Sequence, residues 1–569
     1  MNRNPSLPSM MAWQIFRKDW KLLWPLVLAA AAGQALLAMV LYRHEPYAAS
    51  QQVNATAMLL SLGLGVAWCL LIVLAVQQDA IPGVDQDWLV RPIRRRDLLL
   101  AKILFVVLLV HGPAAAAHLL RGLAEGFGFA ETLRAALLAA VELALLVSLP
   151  VMAVAALTRS VTEAALSALA VLFGLLLVRL LLHAVLFPFT HAFGFEDAVD
   201  GSGIAWVWRS LSHLWLLLAM AAVVALQYFR RSTRPSRLLF IGGLFVFMQI
   251  SALPWRPAFA LQQWLSSRPD ESHSVSLAFD PTRHAADADA GQLDTLLFAA
   301  DPERKKAKKG KKEKKADSED TPQILLPLQF SGLPAGLVLH ADRTVLRLVD
   351  ADGRTLYRGN GHDFDLSAPE HGDGQALLYQ SFRIPAAVVQ KAGDRALRLE
   401  LDYSLTLLRP HALPPLPAQS ANRSLGTIGQ CAGRIDDTGD AIEVGCRAAG
   451  ELPPCLSMTL EQTDGARRNP EQFVCEMNYQ PAFLRFSMEP FDRAEATLPF
   501  RDPAGAVHYP VDETRLHDAQ VAISVYEPEA HFSRHLVIAQ LHLREWQAAA
   551  PSASEQPADA ASPAPAVQP

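Results

Sequence analysis

Three ionisable residues, His111, Glu142 and Arg179, lie in stretches otherwise apolar enough to cross a membrane. Charge inside a bilayer is costly, so each is a functional candidate by default. Counted from the outer ends of their spans at about 1.5 Å per residue, the three fall near one level, about 12 to 14 Å below the outer edge. An ion pair between Glu142 and Arg179, with His111 nearby, would either brace the bundle or line a polar pathway. A second group is Cys431, Cys446, Cys455 and Cys475. The segment 431–446 reads as a hairpin turning at Thr438 and Gly439, which sets Cys431 opposite Cys446. Cys455 and Cys475 stand equally far from Gly465 in a turn-rich stretch. These spacings favour the disulfides Cys431–Cys446 and Cys455–Cys475 over a zinc site, for which no Cys-x-x-Cys spacing exists. Cys69, alone in an apolar run, reads as a small buried hydrophobe. A third group, Glu527, Glu529, His531 and His535, would set three side chains on one face of an extended chain, as a metal requires. It reads first as an exposed charged loop and is not carried forward as a site.

No catalytic motif accompanies these groups. The Gly-x-x-x-x-Gly-Lys-Ser/Thr phosphate loop, His-Glu-x-x-His and Gly-x-Ser-x-Gly are all absent from the sequence. The chain is therefore not expected to be an enzyme, and no cofactor or metal is expected.

The elements that must position these residues differ between two halves. Of 569 residues 51% are hydrophobic and only 19% are charged, and the mean hydropathy is +0.18. Residues 1–255 are Ala/Leu-rich and contain runs longer than the roughly 18 to 20 residues that cross a bilayer as a helix. Spans are expected at 22–42, 53–76, 98–120, 133–157, 164–187 and 209–229, with a shorter seventh at 238–254. The first follows Arg17, Lys18 and Lys21 without a small-residue cleavage site, so it reads as a retained span. Fourteen Lys and Arg residues flank the spans on the N-terminal side of the membrane against four on the other. By the positive-inside rule the N-terminus is cytoplasmic. If 238–254 crosses, the C-terminal domain is periplasmic at an inner membrane, where disulfides persist. The formal charge of −5 excludes a whole-chain nucleic-acid binder.

Residues 256–546 read as an all-β, sandwich-like soluble domain: short alternating stretches at 323–330, 344–349, 397–408, 521–526 and 536–543, separated by Gly, Pro and Asp turns. Asp350-Ala351-Asp352-Gly353 reads as a hairpin turn. Within this domain 301–320 is a Lys-rich insertion whose core, 303–315, holds eight of the chain's twelve lysines. Neither this segment nor the Ala/Pro/Ser tail at 547–569 can bury a core, so both are expected to be disordered.

The polar loop before the third span is the most informative stretch of the membrane half. Asp87-Trp88-Leu89-Val90-Arg91-Pro92-Ile93-Arg94-Arg95-Arg96 leads into Leu98-Leu99-Leu100-Ala101-Lys102. This pattern resembles the membrane subunits of the ABC transporter type-2 permease superfamily, over about the first 230 residues. The resemblance implies that 11–21 is an interfacial elbow helix. It also implies that the 79–97 loop, through Asp87, Trp88, Arg91, Pro92, Arg94, Arg95, Arg96 and Lys102, touches a separate ABC-type ATPase subunit. Two membrane subunits would then rock as a dimer between inward and outward states, with export the more common direction in that family. A seventh span and an appended β domain depart from the pattern. The competing reading is a membrane-anchored binding, sensing or assembly protein that does not transport.

Overall fold

The computed structural model of the chain describes residues 8–42, 51–79, 94–193, 205–250, 255–266, 269–283, 323–361, 364–367, 376–435, 441–450, 452–453, 455–461, 472–475, 491–499 and 519–547. The 301–320 insertion, residues 80–93 and the tail beyond 547 lie outside them. The chain forms two compact units: residues 1–262 with 410–527, and 263–409 with 528–569.

The first unit begins with helices α1 (Pro8–Tyr42), α2 (Gln51–Gln77), α3 (Arg95–Phe105), α4 (Gly112–Ala124), α5 (Phe129–Leu143), α6 (Leu149–Leu157), α7 (Val161–Phe193), α8 (Ala205–Ala225), α9 (Thr233–Ile250) and α10 (Trp255–Trp264). A π segment, Val106–His111, joins α3 to α4, and another, Ala144–Ser148, joins α5 to α6. Each is followed, one residue later, by a proline, Pro113 or Pro150. A proline lacks its N–H and its ring displaces the carbonyl one turn back; the wider π turn absorbs that displacement without breaking the span.

Among the described residues six helical stretches are long and apolar enough to cross a membrane: 11–42, 56–77, 95–124, 129–157, 161–178 and 206–230. The chain is a multi-pass membrane protein by that measure. The stretch α9, expected as a seventh span, is helical and packs along α8 but does not reach the same length and apolarity. The inner faces of the bundle are lined by small residues, with Ala75, Ala101, Ala153, Ala155 and Ala156 at 1% exposure or less. Small residues let helices approach where lipid supplies no hydrophobic drive. Gly243 shows the principle: a Cβ there would stand 2.8 Å from the Cβ of Ala219, and its carbonyl accepts the Trp215 indole N–H at 3.0 Å. Large side chains such as Leu59, Leu120, Phe173 and Leu218 point outward, as a lipid-facing surface requires.

Residues 410–527 add a β module to the same unit. One antiparallel sheet runs in the order 491–499, 441–449, 430–435, 420–424; in the other, 455–461 lies between 472–475 and 520–526. Both contribute to one core around Ile442, Val444, Leu456, Met458, Leu498, Val521 and Ile523. Cys431 faces Cys446 in the register and is bonded to it, the pairing expected from the spacing. The register also sets Cys455 opposite Cys475. Cys455 is likewise disulfide-bonded, while the side chain of Cys475 lies outside the described residues.

In the second unit Gln323–Ser331 pairs with Ser276–Phe279 and Ala376–Arg383. Val338–Val349 pairs with Thr355–Asn360, Asp365–Ser367 and the strand from Leu397. The Asp350 turn is present, with the Gly353 N–H donated to the Asp350 carbonyl and Gly353 at φ +79, a conformation open to glycine. The stretch at 521–526 and residues 536–541 belong to one long strand, Gln520–Leu541, rather than two.

Candidate functional site

The strongest concentration of charge inside the bundle lies where α1 begins, α2 ends and α3 begins. The Lys102 ammonium reaches Asp19 Oδ2 at 2.7 Å and Asp79 Oδ2 at 2.5 Å. Lys18 closes the set on Asp79 Oδ1 at 2.5 Å, 3.8 Å from Asp19 Oδ1. The side chains of Lys102 and Asp19 are completely buried, Asp79 is 11% exposed, and Lys18 is the member most open to solvent. Two cations and two carboxylates balance. Phe16, Phe105, Val76 and Ala101, from the same three helices, are buried in the hydrophobic core of the bundle.

Local sequence explains each position. Lys18 and Asp19 sit in the polar first turns of α1, whose neighbours Ile15 and Phe16 face inward. Asp79 follows the last turn of α2, and Lys102 lies on the buried face of α3 with Leu98, Ala101 and Phe105. Further polar contacts join the same end. Gln77 donates to Thr158 at 2.9 Å across to the close of α6, and Arg95 donates to the Phe229 carbonyl. Arg237, at the start of α9, donates to the Leu157 carbonyl at 3.4 Å.

Of the residues assigned to the ATPase-facing loop, Asp87, Trp88, Arg91 and Pro92 lie outside the described residues. Arg94, Arg95 and Arg96 are exposed at the head of α3. Lys102 is fully buried, so its contacts are internal. Its partners Asp19 and Asp79 were not singled out from sequence. The signal was there: Asp19 is the lone acid among Arg17, Lys18 and Lys21.

At mid-membrane depth His111 Nε2 and Ser148 Oγ meet at 3.0 Å. Both residues close π segments, so the extra residue in each turn rotates these polar groups toward one another. Glu142 is buried at 6% exposure. The side chain of Arg179 lies outside the described residues, and with it the expected Glu142–Arg179 pair.

The second unit holds a polar network in its core. His340 Nδ1 contacts Asp365 Oδ1 at 2.6 Å, and Thr406 Oγ1 joins Asp342 Oδ2 at 2.5 Å to His531 Nδ1 at 2.7 Å. Thr406 has one proton to give. When it goes to an ionised Asp342, His531 must donate from Nδ1. Burial lifts the Asp342 carboxyl to about 6, and burial with His340 nearby holds His531 down to about 3. The segment with Glu527, Glu529, His531 and His535 is therefore not an exposed loop but strand: Glu529 pairs with Arg409 and His535 with Asp402. No group of three or more metal-ligating side chains could hold an ion among the described residues.

A scan against models of known protein families finds no match for this chain, and a search of curated proteins finds none either.

Proposed function

We propose that the chain is the membrane subunit of an ATP-driven transporter of ABC type, working as a dimer at the inner membrane and energised by a separate ATPase. The observation that carries this reading is the Lys102 network. It ties both ends of the 79–97 loop, Asp79 before it and Lys102 just after it, to Asp19 of α1. A push on the loop is thereby transmitted to the first span instead of being absorbed by a slack connector. Arg94, Arg95 and Arg96 offer an exposed cationic surface where an acidic partner would press.

Sidedness follows in the same reading. The α3–α4 stretch runs from the Lys102 network to the hairpin end at 125–128, which meets the β module. Helix α9 runs back along the full length of α8, because Gly243 meets Trp215 and Ile250 packs with Trp206 and Trp208. That path supports a seventh crossing and a sandwich-like periplasmic β domain, in which the Cys431–Cys446 bond is stable. Export is the direction proposed, with the His111–Ser148 contact on the polar pathway.

The test is purification of the full chain from its native membrane in mild detergent, with ATPase activity assayed in the eluate. Co-purifying activity that disappears when Arg94, Arg95 and Arg96 are changed to Glu is the expected result. A folded chain with no ATPase would overturn the transporter reading in favour of a membrane-anchored binding protein.

A further inference from the structure

The hairpin end of α4–α5 carries a charge cluster of a different kind. Arg121 Nε and Arg447 Nη1 both donate to one oxygen, Glu125 Oε1, each at 2.8 Å. The side chains of Arg121 and Arg447 are 2% and 9% exposed. Yet Arg121 Nη2, Arg447 Nε, Arg447 Nη2 and the second oxygen, Glu125 Oε2, have no hydrogen-bond partner among the described residues. Arg493 stands directly opposite Arg447 on the neighbouring strand, a like-charge pairing that sheets disfavour. Arg121 and Arg447 thus share the one carboxylate of Glu125, with Arg493 beside them on the sheet; of the other acids here, Glu131 and Glu495 are exposed, half-buried Asp492 accepts the backbone N–H groups of Arg493 and Leu452, and Glu443 pairs with Arg434.

The surroundings are built, not incidental. The Arg121 guanidinium lies over the Phe491 ring at 4.9 Å, and Phe127 stacks on the same ring at 5.5 Å. Gly122 admits that ring, since a Cβ there would stand 2.8 Å from its edge. Gln430 fixes the Gly126 carbonyl at 3.3 Å. A purely structural staple would spread two arginines over both oxygens of Glu125. Here one oxygen carries both and the remaining donors are left over.

We propose that this cluster binds a phosphate group that also offers a hydroxyl. The free guanidinium N–H groups match phosphate oxygens in geometry and charge. Glu125 Oε2 needs a donor, which hydrogen phosphate carries on its own oxygen and a phosphatidylglycerol headgroup on its glycerol; sulfate and phosphatidylcholine lack one. The site lies at the end of a membrane-spanning stretch, where headgroups sit, so lipid and free phosphate are both within reach. The proposal does not rest on the transporter reading.

Equilibrium binding of radiolabelled orthophosphate to the full chain, in lipid-free neutral detergent and phosphate-free buffer, tests it. One phosphate per chain is expected, displaced by solubilised phosphatidylglycerol and about tenfold less well by sulfate or phosphatidylcholine. Arg447→Gln should weaken binding about tenfold or more, and Arg493→Gln, which leaves the buried pair intact, about threefold. Binding of labelled phosphatidylglycerol alone, weakened by the same variants, would identify the source as lipid and support the proposal. If neither ligand binds the wild type, or binding is unchanged in Arg493→Gln and in whichever Arg447 variant folds, the proposal fails.

Discussion

The two charged ends of the membrane bundle use similar residues to opposite effect. Around Lys102, two ammonium groups meet two carboxylates, and each of these charges has a counter-charge within 4 Å. Around Glu125, two buried arginines meet a single carboxylate, a third arginine, Arg493, stands at the rim, and guanidinium N–H groups remain unspent. Buried charge is tolerated only when it is neutralised and hydrogen-bonded. The balanced set therefore acts as a fastener that is complete in itself, and the unbalanced set awaits an anion. Variants at either end can separate these roles.

The largest effect is expected at the balanced end. Lys102→Met leaves Asp19 buried with only the 3.8 Å approach of Lys18, and should cost about 3 to 5 kcal/mol, read as a lower melting midpoint in detergent. Adding Asp19→Leu removes the stranded charge while keeping Lys18 on Asp79, and should recover most of the loss. If the double variant is as unstable as the single one, the network is not a self-contained fastener. If it is stable and, under the transporter proposal, no longer supports the activity of a co-purified ATPase, the pair carries the proposed coupling.

A covalent tie lies beside the unbalanced end, since Cys446 is adjacent to Arg447 in the strand that presents it. Replacing Cys431 and Cys446 with Ala opens a closure of 15 residues and should cost about 3 kcal/mol in the β module. Hydrogen exchange should rise in 430–449 and not around Lys102. A uniform rise across both ends would show that they do not behave separately.

Smaller and opposite in sign once ligand is present is Glu125→Gln. Without phosphate it strands Arg121 and Arg447 and should cost about 2 kcal/mol, less than Lys102→Met because Arg447 reaches the edge. With phosphate the variant should be stabilised more than the wild type, because the arginines then face the ligand without the Glu125 charge that repels it. Equal stabilisation of both by phosphate in a melting assay would remove the charge argument.

How far these ends were legible in the sequence depends on range. Six of the seven expected apolar stretches, the Asp350 turn and the facing of Cys431 with Cys446 follow from hydrophobic runs and turn residues acting over a few positions, and these are present. The charge networks join residues far apart, Lys102 to Asp19 across 83 positions, through helix packing that no local pattern encodes. Arg121, near the end of an apolar stretch, carries no local signal of a site; only the fold brings Phe491 against it and sets Arg447 on the same carboxylate, Glu125. His531 was misjudged for the same reason. Its charged neighbours suggested solvent, whereas their partners Arg409 and Asp402 lie on another strand.

The network of the second unit offers a third balance, set by protons rather than by ligand or counter-charge. His531 is held below its ordinary 6.5, so its contribution is full above that value and is lost as pH falls toward about 3. Asp342 is raised above its ordinary 3.8, so its contribution is full below that value and is lost as pH rises through about 6. On acidification from about pH 6 to 4 the two slopes oppose, and stability of this unit should stay nearly flat. Asp342→Asn keeps an acceptor for Thr406 but removes the carboxyl's titration. The variant should then lose stability steadily over the same window, by at most about 1.4 kcal/mol per pH unit. Hydrogen exchange in Val338–Val349, corrected for its intrinsic pH dependence, reads this directly. A variant whose pH slope matches the wild type would mean that Asp342 does not offset His531, and that this network, like the one at Lys102, is closed by fixed partners alone.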